Sequence, residues 1–300
     1  MGSSNQFKTT YLGILAAVSV LLSVAHVLTD GKNVPEFLIP TLCCAAIAAF
    51  GAAAFFCRKR LSPKPTDASL SLTFSASAIG FLFLTLLITS LFFGNFRTEL
   101  FYYAEDTNAV VSAFVKLFAA ISAIYFLLSA SWLNFREHGG LRLALSFAPV
   151  LFFALKTLNE FINNSTHPLT ESRGYLIFSL LFMMLFFMTE SKVLAQSGNI
   201  FLLLLFGAGA VITGTIYNIF NLVKYLGGEV STVNAICSIL LIAVALHIII
   251  RIANLPSPES EKEEPLPVGS EPIEEAKFCS PVADAEPEPQ AEERQSDSAE

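Results

Sequence analysis

A chain of 300 residues with 54% apolar side chains, mean hydropathy +0.61 and only 14% charged residues falls well short of the ~25% charge of a soluble domain, which excludes a water-soluble fold for the chain as a whole. The 28 Phe and single Trp suit lipid contact and helix packing without the N–H that an indole must satisfy. The net charge of −7 conceals two opposite regions: from Asn254 onward, 14 acidic and three basic residues (Lys262, Lys277, Arg294) give −11, leaving 15 basic and 11 acidic residues, or +4, before it.

A spanning helix needs about 20 mostly apolar residues to cross ~30 Å of hydrocarbon. Eight segments qualify: Thr10 to Leu28, Phe37 to Cys57, Leu70 to Gly94, Asn108 to Asn134, Leu141 to Asn163, Tyr175 to Leu194, Ile200 to Lys224 and Val230 to Ile250. The predicted fold class is therefore all-α, a polytopic transmembrane helical bundle over residues 1–252. The first span has a rival reading, because Lys8, the apolar run and Ser23-Val24-Ala25 resemble a secretory leader with a small-residue cleavage site. A single Lys ahead of the run, and a run that continues to Leu28, favour a retained helix. Cleavage would leave seven spans without changing the orientation of the rest.

Between the spans, Asp30-Gly31, Pro63-Lys64-Pro65, Gly139-Gly140, His167-Pro168, Ser197-Gly198 and Gly227-Gly228 read as turns, and most connections are short enough to make consecutive helices antiparallel neighbours. The longest, Asn95 to Thr107, sets Phe101, Tyr102 and Tyr103 beside Glu105 and Asp106, as a segment at the water–lipid interface does. Lys and Arg are retained on the cytoplasmic side. Lys8, Arg58, Lys59, Arg60, Lys64, Arg136, Arg142, Lys192 and Arg251 fall on one side, and only Lys32, Arg97, Arg173 and Lys224 on the other. Nine against four predicts that both termini are cytoplasmic; the plasma membrane is the expected location.

Residues 253–300 hold eight of the chain's 14 prolines among many Glu and Ser, too little apolar surface to fold. They are expected to form a disordered acidic cytoplasmic tail, a solvated spacer or a contact for a cytoplasmic protein partner. The last four residues, Asp297-Ser298-Ala299-Glu300, form no prenylation box, and Gln6 stands where an N-myristoylation motif needs Ser or Thr.

A search for chemistry returns little. There is no His-Glu-x-x-His, Gly-x-Ser-x-Gly, Walker loop or Cys-x-x-Cys, and no Asp lies inside a span. Cys43, Cys44, Cys57, Cys237 and Cys279 show neither disulfide nor metal spacing, and His26, His138, His167 and His247 fall on separate segments. No catalytic residue, metal, cofactor or nucleic-acid partner is expected; the lipid bilayer is the expected partner.

What remains is the set of polar residues inside spans, each costing about 2.5–3.5 kcal/mol near mid-bilayer. At 1.5 Å per residue, Lys116, Lys156, Asn159, Glu160, Asn218, Asn221 and Asn234 all lie in the outer half, whereas Glu190 lies on the inner side beside Lys192 and reads as interfacial. Ala109, Ser112, Ala113, Lys116, Ala119, Ala120 and Ala123 form a small-residue stripe that would point Lys116 into the bundle. Lys156, Asn159, Glu160 and Asn163 share a face of the fifth helix, and Gly207, Ala210, Gly214, Asn218 and Asn221 one of the seventh. Lys116 is the expected partner of Glu160, with Lys156 as its rival one turn away. Such a cluster is either glue between helices or an outward cavity, whose extra cation would favour an anionic or zwitterionic ligand. The functions left are a small-molecule or ion permease, or a subunit of one, and a non-catalytic sensor, assembly or partner-binding protein acting through the tail.

The orientation is testable with a membrane-impermeant thiol reagent on intact cells. A cysteine introduced at Thr170 should be labelled and Cys279 should not; labelling of Cys279 without lysis would reverse the topology.

Overall fold

A computed structural model describes residues 2–30, 37–58, 61, 69–92, 109–131, 139–164 and 171–256. The Asn95 to Thr107 connection and the chain beyond residue 256 lie outside them. The described residues form eight helices and no strand: α1 (Gly2–Thr29), α2 (Leu38–Cys57), α3 (Leu70–Phe92), α4 (Ala109–Ser131), α5 (Gly139–Asn164), α6 (Glu171–Leu194), α7 (Ile200–Leu226) and α8 (Thr232–Ala253). All eight are long and apolar enough to cross a bilayer, which makes the fold that of a multi-pass integral membrane protein. The helices sit where the apolar runs predict them. The largest departure is α1, which begins eight residues before Thr10, since nothing from Gly2 to Thr9 breaks a helix and the Lys8 ammonium donates to the Leu255 carbonyl just past α8.

Helix neighbours run α3–α4–α5–α6–α7–α8 and return from α8 to α3, so six helices close into a ring. Closure gives each ring helix two protein-facing flanks and one lipid face. On α3 the lipid face is Phe74, Phe81 and Ile88, all exposed at seven-residue spacing, while Ile79, Phe83 and Leu86 are wholly buried. The helices α1 and α2 stand outside the ring and pack on α7. Consequently 72% of the α7 span is buried, against 28% of α1 and of α2.

The sequence of α7 is suited to that position. A Cβ on Gly209 would lie 2.6 Å from Phe182 of α6, and one on Gly207 2.9 Å from Ile252 of α8, so small residues let α7 approach its neighbours on more than one face. The start of α1 lies beside the start of α7, where the Tyr11 hydroxyl donates to the Leu204 carbonyl at 3.4 Å. Their far ends also meet, with Lys224 Nζ 3.8 Å from Asp30 and the His26 ring 4.7 Å from that of Phe220. These contacts make α1 and α7 parallel. The start of α1 and the end of α8 are therefore on one face of the bundle, called here the terminus face.

Aromatic rings fill the middle of the helix ring. Phe83 of α3, Phe126 of α4, Phe152 and Phe153 of α5 and Phe186 and Phe187 of α6 are all at most 2% exposed. Their centroids lie 4.9 Å apart for Phe83–Phe152, 5.8 Å for Phe126–Phe187 and 5.7 Å for Phe153–Phe187, within the range of favourable ring pairs.

Close approach also governs the α3–α4 seam, where a Cβ on Gly80 would lie 2.7 Å from Leu127 Cγ and 3.2 Å from its backbone nitrogen. Gly80→Ala should therefore destabilise detergent-purified protein by about 1–3 kcal/mol. Gly13→Ala, with nothing within 4 Å, should leave the melting temperature unchanged or slightly raised, because Ala is the better helix former. Equal responses would mean that the seam is not close-packed.

Candidate functional site

The end of the ring opposite the terminus face is built from the ends of α5 and α7 and the starts of α6 and α8. Here Lys156, Glu160, Leu176, Tyr217, Asn218, Asn221, Asn234, Cys237, Ser238 and Leu241 surround a narrow cavity of about 10 Å³, room for a single water molecule. Five of the seven residues singled out in the sequence, Lys156, Glu160, Asn218, Asn221 and Asn234, therefore converge on one space.

Lys156 and Glu160 are one turn apart on α5 and each is 3% exposed. The Lys156 ammonium donates to Glu160 Oε1 at 2.5 Å. The rival pairing is thus the one the structure displays for Glu160. An i,i+4 pair on one helix holds its geometry without help from a neighbour, whereas two helices must be aligned to bring Lys116 to the same carboxylate. The buried stripe of α4 runs through Ser112, Val115, Ala119, Ser122 and Ala123. Lys116 lies at its flank, half-buried, and outside the cavity lining. Ala113 is exposed, so the face of α4 that enters the bundle is rotated from the one its small residues suggest.

Amides complete the cavity wall. Asn221 Nδ2 donates to Ser238 Oγ at 2.7 Å, which joins α7 to α8, and Asn218 Nδ2 donates back to the Gly214 carbonyl at 2.6 Å. The fully buried Asn218 Oδ1 finds no hydrogen-bond donor among the described residues, and the same holds for Oδ1 of Asn159, buried on α5 outside the lining. Buried acceptors are nearly always satisfied. An orphan acceptor in the wall of a cavity is therefore a place where a water molecule or a polar solute can donate. The wall offers a cation, an anion and amide groups of both polarities, with the two charges in balance.

A second cavity, at the terminus end of the ring, involves residues that sequence reasoning did not bring together. Its volume is about 60 Å³, and its walls include Thr73, Tyr125, Arg142, Glu190, His247 and Arg251. Glu190 is 7% exposed and accepts from Arg251 Nε at 2.6 Å across the α6–α8 gap. It is a buried, ion-paired residue near the terminus end of α6, a partnership that its reading as interfacial did not include. The exposed Lys192 points away from the direction that carries Glu190 inward. His247 Nδ1 is bonded to Ser75 Oγ at 2.9 Å, and its ring lies 5.8 Å from Phe126. The signal available in sequence was a carboxylate in α6 and two Arg at the ends of α5 and α8, all on one side.

The phenylalanine cluster lies between the two cavities. Along α5 the order is Arg142, then Phe152 and Phe153, then Lys156 and Glu160; along α6 it is Leu176, then Phe186 and Phe187, then Glu190. Arg142 and Lys156 are separated by about 21 Å of helix.

Comparison with protein-family models, curated proteins and solved structures returns no significant match.

Removing one member of a buried pair leaves an uncompensated charge, at a cost of about 3–5 kcal/mol, whereas an apolar replacement of both is close to neutral. Lys156→Met or Glu160→Met alone should therefore sharply lower the melting temperature in detergent, and the double variant should recover most of the loss. A double variant no better than the worse single would show that the two charges are not energetically coupled.

Proposed function

We propose that the chain is a permease, or the permeating subunit of one, for a small zwitterionic or anionic solute. The observation that carries this reading is the placement of two polar cavities at opposite ends of one closed helix ring, with a buried phenylalanine cluster between them. Glue between helices requires polar groups that satisfy each other. The unmatched Asn218 Oδ1 goes beyond that requirement, and intramembrane polar groups facing a cavity mark solute or ion paths. The Lys156–Glu160 pair suits a zwitterion, whose ammonium and carboxylate can exchange partners with the two side chains at little electrostatic cost.

In this reading the membrane is the plasma membrane and both termini are cytoplasmic, the orientation that the Lys and Arg distribution favours. The cavity at Lys156 then faces outward and the one at Arg142 inward. The acidic tail beyond residue 256 is then available to a cytoplasmic partner.

Proteoliposomes loaded with a pool of labelled amino acids and small carboxylates test the proposal. Counterflow of at least one solute is expected, and it should be lost in the double Lys156→Met/Glu160→Met variant while that variant remains folded. No flux of any pooled solute, together with a stable protein partner released on truncation after residue 256, would overturn the permease in favour of a non-catalytic partner-binding role.

A further inference from the structure

The cavity on the terminus face is unbalanced in charge. Two guanidinium groups, Arg142 and Arg251, face one carboxylate, Glu190. The two guanidiniums and the one carboxylate leave the wall one positive charge in excess, shared between the buried Arg251 and the half-buried Arg142 in the first turn of α5. Glu190 Oε1 engages only Nε of Arg251, so the terminal nitrogens of that guanidinium make no hydrogen bond among the described residues. Arg142, half-buried in the same wall, has no hydrogen bond or ion pair among the described residues either. These are planar donors in a fixed fork, the geometry that matches a carboxylate or a phosphate.

We infer that this cavity is a binding site for one small oxyanion group, a carboxylate or phosphate, held chiefly by Arg142 with the free edge of Arg251. His247 is oriented by Ser75 through Nδ1 and forms part of the wall, and Tyr125 closes the α4 side. The anion neutralises the excess charge and supplies acceptors to guanidinium N–H groups that have none. It is carried either by a free solute or by the headgroup of an anionic lipid. The role of the site leans on the permease reading, as the inward binding position for the negative end of the solute, but the binding itself does not.

The test is thermal melting of full-length protein in a neutral detergent at constant ionic strength, with chloride as the reference anion. Sodium phosphate and sodium acetate probe the free source; dihexanoyl phosphatidylglycerol against dihexanoyl phosphatidylcholine probes the lipid. Millimolar phosphate or acetate should raise the melting temperature by at least ~2 °C, as ligand linkage requires. A rise with phosphatidylglycerol alone assigns the same site to a lipid headgroup. Arg142→Gln should abolish the response without lowering the basal melting temperature, since it removes a cation rather than a partner, and Arg142→Lys should retain a weaker response. Equilibrium dialysis of labelled phosphate and acetate against wild-type and Arg142→Lys protein gives a second measure should Arg142→Gln fold poorly. No response to any probe, or a response unchanged in Arg142→Gln, would overturn the site. Flux without this response keeps the permease and removes the site; the response without flux does the reverse.

Discussion

A charge inside the hydrocarbon layer must be answered by another group of the protein, because lipid offers none and the alternative costs several kcal/mol. That requirement fixes both ends of the helix ring. At one end it is met within a single helix, by Lys156 and Glu160; at the other it is met between helices, by Glu190 of α6 and Arg251 of α8. The difference has a structural consequence. An i,i+4 pair forms within one helix, whereas the Glu190–Arg251 bridge sets the relative height of α6 and α8. Those two helices flank α7, whose Gly207 approaches Ile248 and Ile252 of α8 and Phe186 of α6. The bridge, the glycine contacts and the Lys8–Leu255 hydrogen bond therefore act on the same end of the bundle, and together they make α6–α7–α8 the most firmly located part of the ring.

Between the charged ends the interior is a cluster of phenylalanine rings, and this too follows from the solvent. Helix association in lipid gains little from burying apolar area, so it depends on close packing and on satisfied polar groups. Phenylalanine supplies large, rigid contact area with no polar atom to satisfy. Phe83, Phe126, Phe152, Phe153 and Phe187 meet edge-on or stacked across four different helices. The same packing keeps the two cavities apart, since a void wide enough for water along the ring axis would forfeit those contacts.

The helices were legible from hydropathy because the bilayer imposes one length on every span, and the all-α class followed directly. Faces were legible where a stripe held a single kind of signal. On α7 the glycine and asparagine stripe led to the cavity at Asn218 and Asn221, and on α5 the spacing put Lys156 and Glu160 on one face, although Lys116 was the partner expected for Glu160. The stripe on α4 misdirected: alanine is accepted against lipid as readily as against a helix, so Ala113 and Ala120 could not report which way Lys116 faces. Glu190 and Arg251, 61 positions apart, could not be paired by any local pattern. Their meeting depends on the order of helices around the ring, and with consecutive antiparallel helices a sequence leaves that order open. The contact from α8 back to α3, which closes the ring and sets α1 and α2 outside it, is the piece of information that hydropathy lacks.

If solute passes between the two cavities, the phenylalanine cluster must open, and the helices differ in how readily they can let it. The helix α5 contributes to every part of the path: Arg142 to one cavity, Phe152 and Phe153 to the cluster, Lys156 and Glu160 to the other cavity. It also contains Pro149, which removes a backbone donor and leaves the Leu145 carbonyl without its usual i+4 partner. In a membrane such a break is tolerated inside a packed bundle, and the residue after Leu145, Ser146, ties α5 to α6 by donating to Ser191 Oγ at 2.9 Å. The break lies between Arg142 and the two phenylalanines. A bend there would carry Phe152 and Phe153 away from Phe83 and Phe187, and the Lys156–Glu160 pair, one turn apart on the same helix, would move with them. The chain thus places a proline on the ring helix that carries both members of the Lys156–Glu160 pair, while the bridge that crosses between helices, Glu190–Arg251, lies at the opposite end.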